Sequence, residues 1–210
     1  MKLFFKAIIS ILLICLVGFV VLIIYKNSQR PDYKPSDRTV HVVKHNNKFS
    51  LIRNGKPFVI QGAAGDPNLK ELSEIGGNTL RVYDTVNLNN ILNEAEKYNI
   101  AVIVDIPIAR YDKLYFNYKD KDYQKEVKQE VQELVSKYKN HSALLIWNLG
   151  NEIDFPFTLF GNGFTRTYNE LINIIHEVDP NHPVSTSIKG RRGFVPLFLN
   201  APKLDIFSYN

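Results

Sequence analysis

The chain has 210 residues, of which 45% are hydrophobic, 22% charged and 12% aromatic. This composition excludes a disordered tail, a collagen-like repeat and a disulfide scaffold, because each class needs a different balance of residues. The net charge is +5, from 26 Lys and Arg against 21 Asp and Glu, and basic residues occur throughout the chain, so nucleic acid is not a predicted partner. With Cys15 as the single cysteine and no metal-ligand spacing, neither a disulfide nor a metal or other cofactor is predicted.

Residues 1–28 predict a membrane anchor. Residues 7–25 form a run of nineteen residues without a charge, flanked by Lys6 and Lys26. As a helix this run spans about 28 Å, which matches the hydrocarbon core of a bilayer. A cleaved signal peptide is the alternative, but its apolar region is shorter, and no small-residue cleavage site follows Tyr25. We therefore expect an uncleaved anchor. The basic residues on the two sides of the run do not fix its orientation, and we expect the domain to lie outside the cytoplasm.

The anchor is followed by a predicted tether and one predicted domain. Residues 29–38 contain Pro31 and Pro35 among charged residues, a composition typical of an extended tether. Residues 39–210 fit a single domain, which opens with two β-rich runs at 40–43 and 49–52. The polar residues between these runs predict a β-hairpin.

After the hairpin, short β-rich runs alternate with longer helical runs. Six strands are predicted, at 58–62, 79–83, 100–106, 143–148, 184–188 and 204–209. Helices are predicted between them, at 68–75, 87–98, 122–139, 164–178 and 194–200. Apolar strands that alternate with helices favour a parallel sheet with right-handed crossovers.

Two architectures accommodate six such strands, a doubly wound open sheet and part of an eight-stranded barrel. The glycines at 62 and 65 lack the spacing of a phosphate-binding loop, which an open sheet of this class usually carries after its first strand. Polar residues fall at the carboxyl ends of the strands, where barrel enzymes hold their catalytic groups: Asp84, Asp105, Asn151, Glu152 and Tyr209. The sequence therefore predicts an α/β fold, an incomplete (β/α)8 TIM barrel with strands one to six present.

Residues 145–152, Leu-Ile-Trp-Asn-Leu-Gly-Asn-Glu, resemble the fourth-strand motif of clan A glycoside hydrolases. The closest likeness is to the catalytic barrel of family 2, the β-galactosidase and β-glucuronidase-like glycosidases. Segments 54–62, 76–83, 179–183 and 205–209 resemble strands one, two, five and six of that family, so the resemblance covers about residues 48–210. The β-glucanosyltransferases of the same clan have a sequence similar to residues 78–83, so membership of that group stays open as an alternative.

The resemblance implies a role for four residues. Glu152 is the expected catalytic acid/base, and Asn151 is expected to hydrogen-bond a sugar hydroxyl. Arg81 and Tyr209 are expected to lie at the substrate site and to hold the catalytic nucleophile in position. The alternatives are a loop-capping role for Asn151 and an ion pair between Arg81 and Asp84.

The implied reaction is retaining hydrolysis of a β-linked carbohydrate, which needs a second carboxyl as nucleophile. In the family this carboxyl closes strand seven, which residues 1–210 do not include. Asp105 is a further candidate at the substrate site, although its place on the neighbouring strand favours a structural hydrogen-bonding role. Two interpretations follow: part of a longer enzyme, or a non-catalytic, membrane-tethered carbohydrate-binding or scaffold remnant.

Aromatic residues after strand three are candidates for a sugar-stacking rim, with packing of the loop onto the barrel as the alternative. They are Tyr111, Tyr115, Phe116 and Tyr118.

Overall fold

A computed structural model of the chain describes residues 2–66, 68–108, 118–153, 155–158, 161–190 and 193–209. The first element is helix α1 (Lys2–Ser28). Its segment Phe4–Ser28 is long and apolar enough to cross a membrane, and the most apolar part of it is not buried against the rest of the described chain. This is the helix expected from residues 7–25.

A small antiparallel sheet follows α1. Its strands are β1 (Val40–His45), β2 (Lys48–Arg53) and β3 (Lys56–Pro57). Strands β1 and β2 pair with Val42 opposite Leu51. Asn46 and Asn47 join them with φ angles of 48° and 59°, the left-handed backbone that a two-residue type I′ turn requires. The predicted hairpin is confirmed.

The large sheet has six parallel strands, each paired with the next strand in the chain. They are β4 (Gly62–Ala64), β5 (Thr79–Val82), β6 (Ala101–Ile106), β7 (Leu144–Leu149), β8 (Val184–Ile188) and β9 (Ile206–Tyr209). Within this sheet β4 and β9 are the edge strands. Six successive parallel strands with intervening helices confirm the incomplete TIM barrel.

Helices connect the strands, because the sequence between them supplies caps and one apolar face. They are α2 (Leu69–Glu74), α3 (Leu88–Lys97), α4 (Lys121–Tyr138), α5 (Gly163–Val178) and α6 (Phe194–Asn200). In α4 the carboxylate of Asp120 accepts the backbone N–H groups of the first turn. Val127, Val131 and Val135 then recur every four residues and form its buried face.

The buried residues form two clusters, one on each face of the sheet. The larger cluster joins strand residues such as Val104 and Trp147 to helix residues such as Leu171. The smaller cluster lies on the inner face, where Val40 of the hairpin packs with Ile146. The hairpin therefore packs against part of the inner face of the partial barrel.

The predicted first strand, 58–62, is wrong in position, since β4 begins only at Gly62. The side chain of Asn78 explains the difference. Its Oδ1 accepts the Gln61 N–H at 2.9 Å, and its Nδ2 donates to the Val59 carbonyl at 2.8 Å. An asparagine side chain thus holds the segment before β4 in the place of a strand ladder.

A buried carboxylate ties β7 to the loop before β8. Asp179, which is 1% exposed, accepts hydrogen bonds from Trp147 Nε1 at 2.8 Å and from the Asn181 backbone N–H at 3.0 Å. Nδ1 of His182 lies 2.9 Å from the same carboxylate. Burial alone would raise the pKa of Asp179, but its hydrogen bonds and the charge of His182 together hold the pKa below its usual range.

We expect Asp179→Asn to lower the free energy of unfolding at neutral pH by about 1–3 kcal/mol, because the amide leaves Trp147 and His182 imperfectly paired. A carboxyl whose pKa is lowered by folding stabilises the protein in full above its unfolded pKa of about 3.9, and that contribution is lost as the pH falls through the folded pKa. The difference in the free energy of unfolding between the variant and the wild type should therefore be smaller at acidic pH. Urea unfolding at neutral and acidic pH measures it, with the exposed Asp37→Asn as the control. A deficit that does not change with pH would contradict this account.

Candidate active site

The candidate acid/base residue, Glu152, lies on a tight turn at the carboxyl end of β7. Gly150 and Glu152 both have left-handed backbone, with φ angles of 79° and 50°. A Cβ at Gly150 would overlap the side chain of Ile153, so glycine is required there. The Ile153 N–H then bonds the Ser187 carbonyl of β8 at 3.2 Å. The turn is thus fixed to the sheet on both sides of Glu152.

Positive φ is uncommon for a residue with a long side chain, and such strained backbone clusters at functional sites. Glu152 is half-buried in this conformation. Backbone hydrogen bonds of Gly150 and Ile153, on the two sides of Glu152, hold it in this strained conformation.

Arg81 of β5 forms a bidentate ion pair with Asp105 of β6. Its Nε donates to Asp105 Oδ1 at 2.9 Å, and its Nη2 donates to Oδ2 at 2.7 Å. The same Nη2 donates to Asn151 Oδ1 at 2.9 Å. One guanidinium therefore links the ends of three neighbouring strands, β5, β6 and β7.

Two further polar side chains extend this network across the sheet. Asn148 of β7 donates to Asp105 Oδ1 at 2.8 Å, and Ser185 of β8 donates to Asn148 Oδ1 at 2.8 Å. Both bonds connect residues that are opposite one another in the register of the sheet. We call Arg81, Asp105, Asn148 and Ser185 the polar layer.

The electrostatics of the polar layer keep Arg81 charged. Burial alone would lower its pKa, but the hydrogen bonds and charge of Asp105, with a contribution from Glu152, raise the pKa above its usual value. The side chain of Asp105 is 1% exposed, and burial raises its pKa against the opposing effect of Arg81 and Asn148. Glu152 and Arg81 thus belong to one electrostatic site.

A cavity of about 530 Å³ lies between the inner face of the sheet and the hairpin. Arg81, Asn148 and Ser185 contribute polar groups to its wall, while Phe49 and Ile103 belong to its apolar part. A concave apolar space with a few convergent polar groups is typical of a ligand site.

The structure brings together three of the predicted site residues, Arg81, Asp105 and Asn151, and places Glu152 beside them. Tyr209 ends β9 opposite Ile188, and its side chain lies outside the described residues.

These contacts decide between the alternatives that the sequence left open for Arg81 and for Asp105. The alternative of an ion pair between Arg81 and Asp84 is wrong, because Arg81 pairs with Asp105 and the carboxylate of Asp84 accepts the Val86 N–H. The structural hydrogen-bonding role of Asp105 is confirmed by its contacts with Arg81 and Asn148.

Only one residue of the proposed aromatic rim can be placed. Tyr118 is 1% exposed and packs edge-on against Tyr123 and Phe164, so it belongs to the core and its rim role is wrong. Tyr111, Tyr115 and Phe116 lie outside the described residues.

Sequence reasoning missed Asn148 and Ser185. Asn148 carries a usable signal, since it is the one polar residue in the buried strand Leu144–Leu149. A buried amide needs hydrogen-bond partners, and these are most often found on adjacent strands.

Residues 44–201 match the family described as glycosyl hydrolases family 2, TIM barrel domain. A β-glucuronidase of Paenibacillus borealis is 24% identical over 123 residues, which cover 54% of this chain and 20% of that protein. The chain therefore spans about a fifth of the curated relative that it matches.

Solved structures show the same fold. A β-mannanase of the mussel Mytilus edulis superposes with a TM-score of 0.62 at 14% identity, covering 83% of this chain and 74% of that one. A β-D-glucuronidase of Dictyoglomus thermophilum gives a TM-score of 0.53 at 21% identity, with 73% of this chain and 29% of the other covered.

Proposed function

The chain belongs to the TIM barrel domain family of the family 2 glycosyl hydrolases, and we propose that it carries the acid/base half of a retaining β-glycosidase active site. The observation that supports the proposal most directly is the position of Glu152, on a fixed turn at the strand-end rim beside Asn151 and Arg81. Because the similar proteins include β-glucuronidases and a β-mannanase, the proposal extends to β-linked glycosides as a class.

Glu152 is the proton donor in this proposal. Retaining hydrolysis begins when one carboxyl protonates the leaving oxygen while a second attacks the anomeric carbon. In the second step Glu152, now a carboxylate, takes a proton from the water that releases the sugar.

Asn151 is the sugar-binding residue in this proposal. Its Oδ1 accepts from Arg81, so its Nδ2 hydrogens are the groups with which it donates to a sugar hydroxyl. Arg81 fixes the orientation of this amide and contributes positive charge close to Glu152.

The nucleophile is a residue other than Asp105. Both Asp105 oxygens accept hydrogen bonds from Arg81, one also accepts from Asn148, and the side chain is almost completely buried. By family resemblance the nucleophile closes strand seven, which residues 1–210 do not include.

We also propose that α1 crosses a membrane and that the barrel lies on its outer side. The support is the length and composition of segment Phe4–Ser28. The substrate would then be an oligo- or polysaccharide outside the cytoplasm.

The test is the stereochemistry of hydrolysis by the full-length gene product. Aryl β-glycosides of several sugars are incubated with the protein, and the first sugar released is identified by NMR. Retention gives the β-anomer before mutarotation. Release of the α-anomer would contradict the retaining mechanism. Sugar binding without hydrolysis would favour the non-catalytic carbohydrate-binding protein.

A further inference from the structure

The excess of positive charge lies next to α1. Residues 26–57 contain eight Lys and Arg against two Asp, whereas residues 58–210 contain sixteen against nineteen. We call residues 26–57, which include the tether and the hairpin, the base segment. Basic residues occur throughout the chain, but within residues 26–210 the net charge is positive only in the base segment.

The base segment is docked on the barrel at the amino ends of the strands. Three of its hydrogen bonds reach loops that directly precede β7, β8 and β9: Arg53 Nη2 to the Ser142 carbonyl at 2.9 Å, the Val40 N–H to the Asn181 carbonyl at 2.9 Å, and Tyr33 OH to the Asp205 carbonyl at 3.0 Å. Glu152 follows the carboxyl end of β7. The six residues of this strand separate the two ends by about 20 Å.

The docking begins immediately after α1. The guanidinium of Arg30, two residues beyond the helix, stacks on the Phe198 ring at 3.4 Å from its centroid. Its Nη2 donates to the Phe198 carbonyl at 3.1 Å. The end of α1 is therefore attached to the barrel at a defined place, through Arg30 in the predicted tether.

The charge of the base segment is available to a partner. Lys44, Lys48 and Lys56 of the hairpin sheet are exposed. Exposed basic side chains beside a membrane helix are the groups that bind anionic headgroups.

We propose that the base segment is a binding surface for anionic lipid headgroups. In this arrangement the amino ends of the strands face the bilayer, and Glu152 faces away from it. The inference rests on the membrane crossing of α1 and not on catalysis. It makes the candidate active site accessible to carbohydrate at a distance from the lipid surface.

Energy transfer in proteoliposomes tests this orientation. The full chain with Cys15→Ser receives one fluorescent label, either at His45→Cys on the base segment or at Val86→Cys on the rim after β5, both exposed positions. The vesicles are phosphatidylcholine alone or with an equal part of phosphatidylglycerol, and they contain an acceptor-labelled lipid. Because the base segment is docked at the amino ends of the strands and Val86 follows the carboxyl end of β5, we expect transfer from the His45 label to exceed that from the Val86 label on anionic vesicles.

Charge reversal separates headgroup binding from simple attachment through α1. Lys44→Glu/Lys48→Glu/Lys56→Glu should remove most of the difference between the labels, as should high salt. The matched control is Lys70→Glu/Lys121→Glu/Lys125→Glu, which changes the net charge equally at exposed positions near the rim-side starts of α2 and α4 and should keep the difference.

Equal transfer from the two labels, or equal behaviour of the two triple variants, would overturn the proposal. A chain that does not float with the vesicles would overturn it as well. None of these readouts uses hydrolysis, so failure of the glycosidase proposal is seen separately, in the absence of product.

Discussion

Glu152→Gln in the full-length gene product is expected to slow hydrolysis of a natural β-linked sugar by about 10²- to 10⁴-fold, because an amide does not donate a proton to the leaving oxygen. Gln keeps the length and shape of the side chain, so the strained turn between Gly150 and Ile153 is retained. An activated aryl glycoside needs little protonation, and its bond-cleavage step should suffer much less. Azide should restore part of the turnover by replacing the base-activated water.

The measurement is kcat/KM for both substrates, with and without azide. Glu177→Gln, at an exposed position near the end of α5, is the matched control and should have no effect. If Glu152→Gln slowed both substrates equally and azide had no effect, Glu152 would be a structural residue of the turn.

Arg81→Met is expected to lower the free energy of unfolding by about 3–5 kcal/mol. The variant leaves the carboxylate of Asp105, which is 1% exposed, without its counter-charge and without two of its hydrogen bonds. The double variant Arg81→Met/Asp105→Asn should recover part of the loss, because no buried charge then remains unpaired.

Denaturant unfolding of the single and double variants gives these free energies. Arg166→Met, at an exposed position of α5, removes an equal charge and should change stability by less than about 0.5 kcal/mol. A double variant that is destabilised by the sum of the two single losses would show that the two residues do not interact.

The sequence predicted the repeating elements because their signals are local. The four-residue recurrence of Val127, Val131 and Val135 identifies α4. The segment Val184–Ile188, with a β-branched residue at every second position, was predicted as β8 with its observed limits. The first strand was misplaced because its position depends on Asn78, which bonds to Gln61 and Val59 from a distance in the chain. No periodicity within the segment carries that information.

Part of the candidate site could be predicted from the sequence, but its contacts could not. Strand-end positions identify Asp105 and Glu152 and the family resemblance identifies Arg81, but a partner on an adjacent strand depends on register. In the observed register Arg81 is opposite Ile103, two residues from Asp105, so the guanidinium reaches Asp105 in place of Asp84. The left-handed backbone of Glu152 likewise follows from contacts on both sides of the turn.

In the large sheet the five strands from β5 to β9 each pair with the strand before them in the chain, an arrangement that favours assembly in chain order. A chain emerges from the ribosome amino end first, so each new strand meets a partner that has already been made. The hairpin forms from neighbouring residues around Asn46 and Asn47, yet its docking partner Asn181 is synthesised much later. The hydrogen bond between Val40 and Asn181 forms only after residue 181 has been made, so we expect the hairpin to dock on the amino ends of the strands late in folding.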